Sequence, residues 1–125
     1  MLKLLGVALA GGIGTLFRYW LSGSVHRYSR TFPSGTLVVN LVGCLVIGLI
    51  SYLCTTHPYF GPDARAVLFG GLVGGFTTFS AFGYETLELL RGGSVLLAVI
   101  NIALNVMGGL AAVWLGAVLG RAFGP

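Results

Sequence analysis

The sequence predicts an all-α membrane protein with four transmembrane helices, the third of which is broken at mid-membrane. Of its 125 residues, 56% are hydrophobic and only 8% are charged, a charged fraction about a third of that in soluble proteins. Four apolar stretches have the roughly 20 residues that a helix needs to cross the hydrocarbon core. The third stretch also contains glycines and hydroxyl residues that favour a break in the helix.

The four predicted spans occupy most of the chain, which we expect to form a single membrane domain. No segment remains for a soluble catalytic domain, and no nucleophile stands near a base in the sequence. The pattern therefore indicates neither an enzyme nor a nucleic-acid-binding protein, and the formal net charge of +4 is interpreted as anchoring of the loops. The approximate bounds of the spans are residues 2–21, 35–56, 64–90 and 95–122 of the domain 1–125.

The first and second spans each contain a polar residue that needs a partner. Arg18 lies about one turn from the end of the first span, where it either snorkels to the interface or pairs with carbonyl or acidic groups. Asn40 lies within the second span. Its amide makes a helix–helix hydrogen bond or serves as a neutral donor to an anion. Cys44 and Cys54 fit as small apolar filler.

The third span contains an unusual segment, residues 70–82, with four glycines, three hydroxyl residues and three phenylalanines. Gly74 and Gly75 can adopt conformations that end a helix. One of three hydroxyl residues that follow, Thr77, Thr78 or Ser80, can cap the next helix. Such a break would free carbonyl oxygens that suit a small hard cation. The alternative is a continuous, glycine-rich packing helix.

Polar and small residues also recur at helical spacing elsewhere. Asn101 and Asn105 share one face of the fourth span, which forms either a polar track or a seam of interhelical hydrogen bonds. Phe79 and Phe82 could offer positive ring edges to an anion, although ordinary packing is the alternative. Pairs of glycines four residues apart favour close helix contacts: Gly70 with Gly74, Gly71 with Gly75, and Gly116 with Gly120.

The basic residues divide equally between the two sides of the membrane. Orientation depends on an imbalance of Lys and Arg between the sides, and four spans place both termini together. Either another factor orients the chain, or it inserts in both orientations and pairs with an inverted copy, as do the inverted repeats of transporters. The residues counted are Lys3, Arg65 and Arg121 on the terminal side, against Arg27, Arg30 and Arg91. The two histidines, His26 and His57, are expected in loops with structural roles.

Four motifs in order resemble those of the Fluc/CrcB family of fluoride channels, and together they cover nearly the whole chain. They are residues 11–19 of the first span, Gly35–Thr36 with Asn40 and Gly43, residues 74–82 of the third span, and Asn101 and Asn105 before Gly108.

The resemblance implies a passive, fluoride-selective channel that exports fluoride across the bacterial inner membrane. It implies an antiparallel, dual-topology homodimer with two pores in the lipid bilayer. It also implies a structural sodium ion (Na+) at the two-fold axis, held by backbone carbonyls of Gly74 and Thr77. Arg18 corresponds to a family arginine that supports the broken span. The implied fluoride pathway comprises Asn40, Phe79, Ser80, Phe82, Glu85, Asn101 and Asn105.

This chain departs from the family pattern at two places. Ala81 stands where many members have threonine, which removes one hydroxyl from the polar track. Asn101 and Asn105 stand where other members place tyrosine or serine, and both still offer hydrogen-bond donors.

Two other functions are compatible with a four-span chain. A proton-coupled exporter of organic cations needs a membrane-embedded carboxylate, and the first span has none. A non-transporting scaffold subunit is permitted by the glycine-rich seams alone.

Overall fold

The structure is a computed structural model that describes residues 1–27, 31–56 and 60–123. Within these ranges all regular structure is helical, and four helical stretches are long and apolar enough to cross a membrane. The prediction of an all-helical, four-span chain is therefore confirmed. Arg30 and His57, which the sequence places in loops, lie outside the described residues.

Five helices, labelled α1 to α5 in chain order, build the four stretches. The third stretch is divided into α3 and α4, whereas the fourth is one continuous helix, α5. Two segments, Ala66–Val73 in α3 and Leu104–Gly108 in α5, have the wider π-helical hydrogen bonding. The helices are α1, Leu2–His26; α2, Ser34–Thr56; α3, residues 62–76; α4, Phe79–Arg91; and α5, residues 95–123.

The first helix is longer than predicted, since it continues past residue 21 to His26. Polar residues do not end it because the Ser24 hydroxyl donates back to the Trp20 carbonyl at 2.8 Å, which is compatible with a helix. The first proline comes only at Pro33. His26 is therefore the last helical residue, not part of a loop.

Glycines bring the helices together in two pairs. α1 packs against α3, and α2 packs against the second half of α5. A Cβ atom added at Gly75 would overlap the backbone of Gly11, and one at Gly116 would overlap the backbone of Leu45. Gly71 and Gly120 also make close interhelical contacts. The expected small-residue contacts are thus confirmed for these positions.

Gly70 and Gly74 differ from the other glycines. Gly70 has no atom within 4 Å of an added Cβ, and Gly74 meets only the carbonyl of Phe69 in its own helix. Both are exposed on the single subunit, and this pair makes no close contact with another helix in the described part of the chain.

The helices leave only a thin core within the subunit. Val39, Cys54 and Asn101 are the largest of the fully buried side chains among the described residues. Lys3 pairs with Asp63 at 3.0 Å, which joins the start of α1 to the start of α3. Both α1 and α2 contact the third stretch, and Arg18 of α1 and Asn40 of α2 reach the break between α3 and α4.

Candidate functional site

The third stretch breaks at Thr77 and Thr78, where the backbone is extended. Thr77 has φ −81° and ψ 160°, and Thr78 has φ −150° and ψ 113°. The Thr78 hydroxyl accepts a hydrogen bond from the Ala81 N–H at 3.2 Å and so caps α4. The predicted break is present, Thr78 is the one of the three candidate residues that caps the next helix, and a continuous packing helix is excluded.

The sequence suggested a break at the glycines, but the break does not occur there. Gly74 keeps helical angles, φ −63° and ψ −37°, and Gly75 lies inside the same helical turn. Gly75 is needed for close packing on Gly11. The chain leaves the helix three residues after Gly74, where the threonine hydroxyl can replace lost backbone bonds.

Carbonyl oxygens lose their helical partners at the end of α3. In an uninterrupted helix the Gly74 carbonyl would accept from the Thr78 N–H, but that N–H donates to Oδ1 of Asn40 at 2.9 Å. The Thr77 carbonyl accepts from Nη1 of Arg18 at 3.3 Å. Such oxygens, with their partial negative charge at a helix C-terminus, favour cations.

Helix α1 supplies side chains to these carbonyls. Besides Arg18, Thr15 donates from its hydroxyl to the Gly75 carbonyl at 3.3 Å. The Thr77 hydroxyl donates to the Val73 carbonyl at 3.1 Å. Of the two sequence-based alternatives for Arg18, pairing with carbonyls is therefore the one observed.

Asn40 holds the break from the side of α2. Its Oδ1 accepts from the Thr78 N–H, and its Nδ2 donates to the Thr78 carbonyl at 3.2 Å. The side-chain amide thus pairs with both backbone groups of one residue, much as a neighbouring β-strand would. Nδ2 also donates to Oδ1 of Asn105 on α5 at 2.9 Å.

The amides continue along α5. Nδ2 of Asn105 donates to Oδ1 and to the carbonyl of Asn101, both at 3.0 Å. Nδ2 of Asn101 donates to the Thr86 hydroxyl at 2.9 Å, and that hydroxyl donates to the Phe82 carbonyl at 2.7 Å. The seam of interhelical hydrogen bonds, one of the two alternatives for the fourth span, is therefore present.

Two phenylalanines border a small cavity beside the break. The ring centroids of Phe79 and Phe82 are 5.3 Å apart and the rings are tilted by 59°. Phe82 is buried, whereas Phe79 is 81% exposed on the single subunit. Both line a cavity of about 270 Å³, together with Asn40, Asn105 and Cys44 among others.

A larger polar cavity, of about 940 Å³, is also lined by Thr78 and lies between α1, α2 and α4. Glu85 faces it, with Oε1 accepting from the Thr36 hydroxyl at 2.7 Å. Its Oε2 is buried without a hydrogen-bond partner in the described part of the chain. Arg18 and Ser80 also line this cavity, and the hydroxyls of Ser80 and Thr78 are 3.3 Å apart.

Comparison with known proteins identifies the family. The family described as CrcB-like protein, Camphor Resistance (CrcB), matches residues 5–117. The chain belongs to the CrcB family. It is 51% identical over 118 residues to the fluoride-specific ion channel FluC of Methylobacillus flagellatus, covering 93% of this chain and 92% of the relative.

Other CrcB relatives match over almost their full lengths. The fluoride-specific ion channel FluC of Citrifermentans bemidjiense is 41% identical over 123 residues, covering 98% of this chain and 99% of the relative. The protein of the same name from Solidesulfovibrio magneticus is 45% identical over 123 residues, covering 97% of this chain and 98% of the relative. The resemblance to the family that the motifs indicated is confirmed.

Most of the residues singled out in this CrcB sequence meet around Thr78. Asn101 is the exception, because it is 1% exposed and lines neither cavity described above. The sequence assigned no role to Thr15, Thr36 and Thr86. A signal for two of them exists at helical spacing, since Thr36 precedes Asn40 by four residues and Thr86 follows Phe82 by four.

Proposed function

We propose that this chain forms a passive, fluoride-selective channel that exports fluoride from the cytoplasm. The observation that carries the proposal is the broken third span. Its extended Thr78 lines both a polar cavity and a second cavity bordered by two phenylalanines. The proposal is supported by high identity to relatives named fluoride-specific ion channels.

The proposed fluoride path runs from the larger cavity, past Ser80 and Thr78, to the pocket of Phe79 and Phe82. Fluoride is a small acceptor whose tightly held water shell must be replaced during passage. Hydroxyls, amide N–H groups and aromatic edges can replace it without a fixed positive charge at the narrowest point. Arg18 and Glu85, with opposite charges, both lie at the larger cavity, where they set the potential at the entrance.

We further propose that the working unit is an antiparallel homodimer with two pores in the inner membrane. The equal Lys and Arg count on the two sides supports insertion in both orientations. The exposure of Phe79 on the single subunit supports a partner, because an aromatic ring that borders the ion path requires a covered pocket. The thin core of the subunit also leaves apolar surface for a second copy.

A sodium ion at the two-fold axis is part of the same proposal. The carbonyls of Gly74 and Thr77 would hold it, and the ion would supply positive charge that binds the two breaks together. The donor chemistry fits, since hard cations bind backbone oxygens freed at broken helices and Gly74 lacks its usual helical donor. We expect dimers to dissociate less readily in sodium than in choline buffer, measured by size-exclusion chromatography.

A fluoride-release assay with purified protein in liposomes tests the proposed transport. Wild-type vesicles should release fluoride with no pH gradient, because a passive pathway exchanges no protons. A requirement for an opposing proton gradient would favour a proton-coupled exporter, and release no faster than from empty vesicles would favour a scaffold. Parallel assays with and without sodium test its contribution to flux.

A further inference from the structure

An unbroken chain of hydrogen bonds connects the break to the first turn of α4. The Thr78 N–H donates to Asn40, Asn40 to Asn105, and Asn105 to Asn101. Asn101 then donates to the Thr86 hydroxyl, which donates to the Phe82 carbonyl. These five bonds are between 2.7 and 3.0 Å long and link α2, α4, α5 and the break. We call this set the amide chain.

Both ends of the amide chain require the hydrogen bonds to be donated in the same direction, from Thr78 toward Phe82. A backbone N–H can only donate, so Asn40 must turn its oxygen toward Thr78 and its nitrogen toward Asn105. A backbone carbonyl can only accept, so the Thr86 hydroxyl must donate its hydrogen to the Phe82 carbonyl and accept from Asn101. The orientations deduced from the two ends agree at Asn105. Reversing any one amide would place two donors or two acceptors face to face.

Two members of the amide chain lie away from the cavities. Asn101 is 1% exposed and Thr86 is 8% exposed, and neither lines the polar cavity or the cavity of the phenylalanines. Their hydrogen bonds nevertheless end on the backbone of Phe82 and, through Asn105, on Asn40. Side chains so placed act on an ion only through their neighbours.

We propose that Asn101 and Thr86 are positioning residues for ion passage. They set the rotation of α4 that places the rings of Phe79 and Phe82, and they orient the Asn40 amide that holds Thr78. The inference rests on the proposed fluoride channel and assigns a different role to Asn101 from the direct fluoride contact that the sequence suggested. Because linked hydrogen bonds strengthen one another, the chain works as one unit.

Thr86→Val and Thr86→Ser form a matched pair that tests the inference. Valine keeps the shape of threonine without the hydroxyl, whereas serine keeps the hydroxyl. We expect Thr86→Val to lower fluoride flux per folded dimer about tenfold, the factor for one lost hydrogen bond, and Thr86→Ser to stay within about twofold of wild type. Equal flux in wild type and Thr86→Val, or equal losses in both variants, would overturn the proposal.

The second test asks whether the chain acts as a unit. Independent residues give losses that multiply, whereas linked residues do not. Adding Asn101→Leu to Thr86→Val should therefore lower flux by no more than about a further twofold. A double variant whose loss equals the product of the single losses would contradict a linked chain.

A spectroscopic readout separates positioning from general destabilisation and from failure of the proposed transport. In fluoride-free buffer, 4-fluorophenylalanine at position 82 of the full chain reports ring placement by ¹⁹F NMR, and the same probe replacing Phe69 is the control. Thr86→Val should shift or split the signal at 82 and leave that at 69 unchanged. Unchanged spectra at both positions would exclude the positioning role, whether or not the wild type conducts fluoride.

Discussion

The Asn40 side chain provides the hydrogen bonds that the Thr78 backbone would make in an unbroken helix. It satisfies the N–H and the carbonyl of a residue 38 positions away, and both of these hydrogen bonds are partly buried. An unpaired backbone group in such surroundings destabilises a protein by about 1–3 kcal/mol. The side chain is therefore important for the shape of the break, besides its proposed place on the fluoride pathway.

Replacement of Asn40 by leucine tests this structural role. We expect Asn40→Leu to lower the free energy of unfolding by about 2 kcal/mol or more, because two backbone groups lose their partners. The measurement is thermal or denaturant unfolding of the purified protein in detergent. Val42→Leu on the same helix is the control and should change stability little. A variant at Asn40 as stable as the control would contradict the role.

The phenylalanine pair gives a second prediction at this scale. Phe79→Ile and Phe82→Ile should abolish fluoride flux while dimers persist, because an aliphatic side chain fills space but offers no positive ring edge. Liposome flux and size-exclusion chromatography give the two readouts, with Phe17→Ile on α1 as the control. Full flux in both Phe79→Ile and Phe82→Ile would show that these rings do not lie on the fluoride pathway.

Individual residues differ in how far the sequence predicts their role. Asn40 and the phenylalanines are visible because a polar amide and a close aromatic pair are conspicuous in an apolar segment. The partners of Asn40 are not visible, because they lie on two other helices and depend on how those helices pack. For Thr86 only the helical spacing from Phe82 is visible, because its hydrogen bond with Asn101 depends on the packing of a second helix.

At the scale of helices, α1 and α3 approach closely because glycines meet. A Cβ at Gly75 would overlap the backbone of Gly11, and one at Gly14 would overlap that of Leu72. This approach is what allows Thr15 and Arg18 to reach the carbonyls of Gly75 and Thr77. Close packing and support of the break thus depend on the same interface.

Gly75→Ala should weaken that interface. The added methyl group meets main-chain atoms that cannot move aside, and such overpacking destabilises by about 1–3 kcal/mol. Gly12→Ala is the matched control, since an added Cβ there has nothing within 4 Å and alanine favours helix. The two variants are compared by unfolding in detergent, and equal stability would show that the interface tolerates the methyl group.

The helices were more predictable than the position of the break. Length and hydropathy are enough to identify four spans, because each must match the thickness of the bilayer. The break falls at Thr77–Thr78 and not at Gly74–Gly75, since Gly75 is packed within the helix against Gly11 of α1. The π-helical segments in α3 and α5 were not predicted, because neither length nor hydropathy distinguishes them from ordinary α-helix.

At the scale of the whole molecule, the proposed channel depends on two copies in opposite orientations. The equal division of basic residues provides no strong orientation signal. Additional lysines at the C-terminus should therefore bias every copy toward one orientation and reduce flux. Orientation is measured with a reporter that is fused to the C-terminus and is active on only one side of the membrane. Flux is measured in liposomes.

Co-expression provides the control for this charge experiment. A second variant with added lysines beside Gly92 and Gly93, at the opposite end, should be biased the other way, and the two variants together should recover flux. Full flux from a variant that inserts in one orientation only would contradict the antiparallel dimer.

The most direct test of the central claim is the reversal potential of the purified protein in a planar bilayer. With a tenfold fluoride gradient and equal chloride on both sides, a fluoride-selective channel should reverse at about 59 mV in magnitude, the value for a tenfold ratio of a monovalent ion. Reversal at zero, or the absence of any current above that of the bare bilayer, would contradict a fluoride-selective pathway through the broken third span.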